Sequence, residues 1–259
     1  MPELVAEWFA PWSERARWAL DHHGIRYAYR EYVPLVGEPW LRWRLRTLTG
    51  RVSTPTLLTG HAVYGDSFAI AEWAERHGSG TPLFPADRAA DIAVWNARSE
   101  AALSAGRVRV VARMTEVPGA TSEILPPSMP GAMRFALQPV VGLATAATCG
   151  FLRWKYDFGG DLAASGRTLR ATLEELRAAL AGRDYLFDGF TYADITMAVV
   201  LQMVSPVRDT YIPLGPRVRE VWTSESLAAD FADLLTWRDR LYDRHRGVLA
   251  TVRPARVAM

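Results

Sequence analysis

Three short stretches hold residues whose types and spacing suit the binding of an anion or a thiolate. The first, Trp8-Phe-Ala-Pro-Trp-Ser-Glu-Arg-Ala-Arg-Trp-Ala-Leu20, follows a strand-like segment and opens an amphipathic helix. Pro11 suits the start of that helix, where the N–H it lacks would have no partner. Ser13 is placed to cap the first turn, and Ala16, Ala19 and Leu20 form an inward stripe. A strand running into a helix N-terminus aims free N–H groups and a partial positive charge at one point. The second stretch, Ser53-Thr-Pro-Thr56, stands just before a strand. An X–Pro bond takes the cis form at low cost and then makes a tight turn, although a trans proline opening an edge strand fits the same residues. In the third, Gly65-Asp-Ser-Phe-Ala-Ile70, Asp66 and Ser67 open a helix whose unpaired N–H groups can hold a carboxylate, while Asp66 also serves as an N-cap.

The elements that must position these stretches alternate between strand and helix over residues 3–78. Strands are expected over 3–9 and 25–33, the second with Ile25, Tyr27 and Tyr29 on one face, and a helix over 13–23 ends at Gly24. A short helix over 39–48 precedes a hairpin of 56–58 and 62–64, and a helix over 66–76 is capped by Asp66. The order βαβ–α–ββα is thioredoxin-like, a parallel unit followed by an antiparallel hairpin and a covering helix. Gly80-Thr-Pro-Leu-Phe-Pro85 reads as a linker. Beyond it only helical patterns appear, over 87–114, 134–156, 168–180, 194–205 and 227–245. The domains expected are 1–80, a linker at 81–87, and an all-helical unit at 88–259. The stretch 116–133 contains four prolines and two glycines, so it is no regular helix throughout. A stretch this long without regular structure is expected to be an insertion that is functional, as a lid, or has no role.

Tyr185-Leu-Phe-Asp-Gly-Phe-Thr-Tyr-Ala-Asp-Ile195 completes the pattern, with Thr191 and Asp194 spaced as a capping box and Phe190 and Ile195 as a hydrophobic staple. Taken with the three N-terminal stretches, it resembles the cytosolic glutathione transferases over nearly the whole chain. The turn at 8–20 is most similar to the omega, tau and zeta classes. The resemblance implies a thioredoxin-like N-terminal domain and an all-α bundle, with glutathione as co-substrate, a homodimer and no metal. It implies that Thr54, before a cis Pro55, offers its backbone to the cysteinyl part of glutathione. It further implies that Ser67 binds the γ-glutamyl carboxylate and that Asp66 faces the α-amino group. Arg42 or Arg44 would pair with the glycine carboxylate.

The position that holds Cys or Ser in those classes is Ala10 here. A thiol of pKa near 8.5 is only a few per cent ionised at pH 7, and each unit of depression needs about 1.4 kcal/mol of selective thiolate stabilisation. Ser13 is the candidate donor in place of residue 10, and the indole of Trp8 or Trp12 is another. Trp12, Arg109 and Arg113 are candidates for contact with a second substrate, the two arginines sharing one helix face. His22 and His23 end the first helix and are expected in solvent.

Composition bounds the alternatives. The 259 residues are 49% hydrophobic, and 30 basic against 28 acidic residues give a net charge of +2, so neither nucleic acid nor an anionic membrane is demanded as a partner. A single cysteine, Cys149, precludes an internal disulfide and fits a reducing cytoplasm. The leading expectation is an enzyme that activates glutathione for attack on a hydrophobic electrophile, by conjugation, dehalogenation or addition–elimination. A non-catalytic glutathione- or ligand-binding protein of the same fold is the alternative. A cysteine-dependent thiol oxidoreductase is disfavoured, because Ala10 and Ser13 stand where both redox thiols would be.

Overall fold

The computed structural model describes residues 1–33, 37–49, 52–114, 116–123 and 162–247, together with the isolated positions 132 and 147. The helix expected over 134–156 (position 147 apart), Cys149 and half of the 116–133 insertion lie outside the described residues.

The N-terminal unit runs β1 (Glu3–Ala6), α1 (Pro11–His22), β2 (Ala28–Glu31), α2 (Gly37–Arg44), β3 (Thr56–Leu58), β4 (Val63–Tyr64) and α3 (Ser67–His77). The sheet order is β2-β1-β3-β4, with β1 parallel to β2 and antiparallel to β3, and β3 antiparallel to β4. The period of two along a strand sends alternate residues of β1 to opposite faces. Leu4 and Ala6 pack with Ala16 and Leu20 of α1 and with Ile70, Trp73 and Ala74 of α3. Val5 turns the other way, to Tyr32, Leu41, Val52 and Leu58 beneath α2. Both faces of β1 are therefore covered, and the loops at its carboxyl end are held from two sides. The element order matches the sequence expectation, with β1 and β2 shorter by several residues.

The C-terminal unit is helical: α4 (Ala89–Met114), α5 (Ala120–Glu123), α6 (Leu162–Leu180), α7 (Tyr192–Val200), α8 (Pro216–Trp222), α9 (Glu225–Asp230) and α10 (Ala232–Leu241). A 3₁₀ turn follows α7, and a π turn over Tyr242–Arg246 follows α10. Every residue of α7 is buried, as its apolar sequence requires. Asp194 anchors its start by accepting from the Thr191 N–H at 2.8 Å, the Thr191 hydroxyl at 3.0 Å and the Leu186 N–H at 2.8 Å. Two expectations need correction. The helix expected over 227–245 is three pieces, broken at Phe231 and widened into the π turn. The Gly215-Pro216 start of α8 went unread, although proline at a first helical position is a start signal.

The two units share a continuous interface. Trp18 of α1 lies 4.5 Å from Tyr242 and 6.1 Å from Phe190, ring centre to ring centre. Arg246 reaches back from the chain's last described turn to Glu14 and Asp21, each at 2.7 Å. The linker is pinned as well: Leu83 accepts from the Tyr192 N–H at 3.0 Å and donates to Glu75 at 2.9 Å.

Candidate functional site

The β1–α1 turn brings the first helix terminus to the carboxyl end of the sheet. Ala10 is the N-cap of α1, in extended conformation and without a side-chain cap, and Pro11 follows it. The first intrahelical bond runs from the Glu14 N–H to the Ala10 carbonyl at 3.0 Å. Among the described residues, the Trp12 and Ser13 N–H groups ahead of it take no partner and form the anion-attracting end of the helix. Ser13 does not take the capping role expected of it. It lies three residues inside the helix and is fully buried, and its hydroxyl oxygen accepts the Glu7 N–H at 3.2 Å. It supports the turn from beneath.

The Trp8 peptide, two residues before Ala10, is gripped on both sides. Its N–H donates to Glu31 Oε1 at 3.1 Å, and its carbonyl accepts from Arg17 at 2.7 Å. Arg17 in turn donates to Glu14 at 2.7 Å. Burial pushes the Glu31 carboxyl up to about 7, against the opposing pull of the Trp8 N–H, the Tyr29 hydroxyl and Arg17. The Trp8 ring packs in the core edge-on to Phe9, with its Nε1 buried and unpaired. That burial takes the Trp8 indole away from the turn's open side.

The second and third stretches meet beside this turn. The Thr54–Pro55 bond is cis, as the loop reading required. Ser53 Oγ donates to the Gly65 carbonyl at 3.3 Å, tying the proline loop to the start of α3. The Thr54 backbone N–H and carbonyl take no partner among the described residues, which leaves a short strand edge available. Asp66 caps α3 by accepting the Ala69 N–H at 2.8 Å. Ser67 is buried beside the hydroxyl of Tyr192, a residue with Arg15, Glu100 and Asp66 in electrostatic reach. The starts of α1 and α3 therefore share one neighbourhood.

α4 closes that neighbourhood from the helical unit. Glu100 accepts from Trp12 Nε1 at 2.7 Å and from Arg15 at 2.5 Å, and Arg15 also donates to Ser99 at 2.8 Å. Arg107 stands over the Trp12 ring at 4.8 Å. Trp12 is thus a wall residue between the units, its indole N–H committed to a carboxylate. Sequence reading did not find the Arg15–Glu100 pair, because no local pattern marks partners 85 residues apart.

Other expectations are redirected. Arg109 and Arg113 share a face, but they do not line an open cleft. Arg109 donates to the carbonyls of Met203, Trp222 and Thr223, and Arg113 donates to that of Thr223, so both fasten α4 to the end of α8. Burial and the adjacent Arg113 lower Arg109 to about 10. Arg42 is paired with Glu38 at 2.8 Å and, with Trp43, Arg44 and Arg46, lines an open hollow of about 410 Å³. His23 is not in solvent. It is buried 3.0 Å from Glu75, and His22 meets the Thr81 carbonyl at 2.9 Å. The described start of the insertion is docked: Glu123 accepts the Arg217 and Val218 N–H groups at 2.8 and 3.0 Å, capping α8. Among the described residues there is no cluster of three His, Cys, Asp or Glu able to hold a metal, and no helix long and apolar enough to cross a membrane.

Comparison with known proteins agrees with this architecture. Residues 9–77 match the family model "Glutathione S-transferase, N-terminal domain", and residues 161–240 match "Glutathione S-transferase, C-terminal domain". Together these span more than half of the sequence, and the chain belongs to the glutathione S-transferase superfamily. A search of curated proteins returned no match. Among solved structures, a glutathione S-transferase of Methylobacterium radiotolerans in complex with glutathione sulfonate is similar at TM-score 0.55 and 19% identity, over 94% of this chain and 91% of that one. A family member from Pseudomonas fluorescens Pf-5 with bound glutathione has TM-score 0.58 and 16% identity, over 94% and 95%. A beta-etherase of Sphingobium sp. strain SYK-6 has TM-score 0.56 and 18% identity, also over 94% and 95%. At these identities the likeness is one of fold.

Proposed function

We propose that the chain binds glutathione where the starts of α1 and α3 meet the Thr54–Pro55 loop, and presents its sulfur as a thiolate to an electrophile. The observation that carries this reading is the convergence of two helix N-termini and an unpaired strand edge on one neighbourhood. In this reading the γ-glutamyl carboxylate sits on the N–H groups at the start of α3, with Ser67 and Asp66 beside it. The cysteinyl backbone pairs with Thr54. The glycine carboxylate falls to Arg44, because Arg42 is held by Glu38. The thiol then lies over the first turn of α1, and the thiolate is stabilised by the Trp12 and Ser13 N–H groups and the helix dipole. The glutathione bound in the Pseudomonas relative supports the choice of ligand. The reaction class we assign is transfer of the glutathione sulfur to a hydrophobic electrophile, by substitution or addition, in a homodimer of the cytoplasm.

The test is ultraviolet titration of the thiolate of bound glutathione, beside Ser13→Ala and Ser67→Ala. We expect a thiol pKa at least one unit below that of free glutathione, preserved in Ser13→Ala, and affinity reduced roughly tenfold in Ser67→Ala, the loss of about 1.4 kcal/mol. A depression abolished by Ser13→Ala would return the donor role to that hydroxyl. Binding with an unshifted thiol would favour a non-catalytic carrier, the reading that the absence of a side-chain donor at Ala10 already supports. No binding would remove the proposal.

A further inference from the structure

Glu31 has no part in the site just described, yet it holds the peptide from which that site's turn hangs. It ends β2 opposite Ala6, the last paired residue of β1. One carboxyl oxygen accepts the Trp8 N–H at 3.1 Å and the other the Tyr29 hydroxyl at 2.9 Å. The Tyr29 hydroxyl is also 3.0 Å from the Ala6 carbonyl, and one proton serves only one acceptor at full strength. On the far side of the same residue, Arg17 holds the Trp8 carbonyl. We propose that Glu31 is a positioning residue: through the Trp8 peptide it fixes the β1–α1 turn on which the glutathione sulfur is to rest, and neutralising its charge loosens that turn.

Two hydrogen-bond arrangements are available, and both are fully satisfied. With Glu31 ionised, Tyr29 donates to Glu31 and the Trp8 N–H makes a charge-assisted bond. With Glu31 protonated, its O–H donates to Tyr29, Tyr29 turns its own proton to the Ala6 carbonyl, and the Trp8 N–H is left with a neutral acceptor. A charge-assisted bond is roughly twice as strong as a neutral one, so protonation weakens the grip without breaking it. The groups facing Glu31 are Arg17 from α1, Tyr29 from β2 and, nearby, Glu7 from the turn. Desolvation among them places the exchange near neutral pH, where a small change of pH changes the population of the two arrangements.

The inference rests on the glutathione reading for its effect on the site, but the exchange itself is visible without ligand. The experiment follows the Trp8 amide by ¹H–¹⁵N NMR across roughly pH 5.5 to 8.5 in the wild type, Glu31→Gln and Glu31→Ala. Affinity for S-methylglutathione, whose sulfur carries no proton to confuse the profile, is measured by calorimetry over the same range. The Trp8 amide should titrate with a midpoint near 7 in the wild type and stay flat in Glu31→Gln, which keeps an acceptor without a titrating proton. S-methylglutathione affinity should fall roughly three- to tenfold on the acid side in the wild type. It should be independent of pH in Glu31→Gln and weakest in Glu31→Ala, if that variant folds. A Trp8 amide that does not titrate, or titrates equally in Glu31→Gln, overturns the exchange while leaving glutathione binding untouched. Titration with pH-independent affinity overturns the positioning role. A titrating amide with no binding at any pH overturns the glutathione reading and, with it, the site half of this inference.

Discussion

At the scale of single residues, the β1–α1 turn presents backbone N–H groups rather than a side-chain donor. Ala10 contributes only its place as an N-cap, and Ser13 is turned inward to the Glu7 amide. The polar groups that surround the turn are occupied in holding it. Glu31 carries a stability consequence as well as a positional one. Its folded pKa of about 7 lies above the ordinary value of 4.5, so between those limits the native state binds the extra proton. Its contribution is therefore present below about pH 4.5 and lost as pH rises to about 7. Glu31→Gln should remove that decline, gaining on the wild type by about 2 kcal/mol near pH 8 relative to near pH 5. This is less than the full shift converts to, since the side chain keeps some contact with water. Urea denaturation at the two pH values checks it.

At the scale of elements, what the sequence made legible was whatever local chemistry specifies. Gly24 and Gly78 close α1 and α3, Asp66 caps α3, and the Thr191–Asp194 pair starts α7, each by contacts within a few residues. The candidate ligand positions at Thr54, Asp66 and Ser67 were legible for the same reason, because each rests on a loop or helix start written in adjacent residues. The destinations of long polar side chains were not. Arg15, Arg109 and Arg246 find partners 85, 94 and 232 residues away, and nothing in their own neighbourhood distinguishes them from solvated arginines. The same limit hid the contact between α4 and the 3₁₀ turn. A Cβ added to Gly106 would sit 2.4 Å from Met203 Cγ. Gly106→Ala should therefore cost about 1 kcal/mol net: overpacking of roughly 1–3 kcal/mol outweighs the helix preference for alanine of about 1 kcal/mol. Pairing it with Met203→Ala should recover most of the overpacking, a coupling that a double-mutant cycle by thermal unfolding reads directly.

At the scale of the whole molecule, the two units are joined through a buried ionic cluster. Glu14, Arg17 and Arg246 are all buried in the joint, and Asp21 closes its outer side. Removing one partner of a buried ionic group strands the others, at a cost of about 3–5 kcal/mol, whereas removing the group as a set is far cheaper. Arg246→Met should lower the urea midpoint in a single transition monitored by both tryptophan fluorescence and far-ultraviolet circular dichroism. Glu14→Gln added to it should restore part of the loss. Two separate transitions in Arg246→Met would mean that the thioredoxin-like unit stands by itself and the joint is a docking contact only.

The same joint has a meaning for biosynthesis. Arg246 leaves the ribosome 232 positions after Glu14. At roughly 5–20 residues per second, the first helix waits about 10–50 seconds with only Arg17 facing its buried carboxylate. The α/β unit precedes the helical unit in the chain and holds its sheet in local contacts, so its buried pairing with Arg246 forms only once the π turn has emerged. The first helix is thus completed by a residue of the π turn over Tyr242–Arg246.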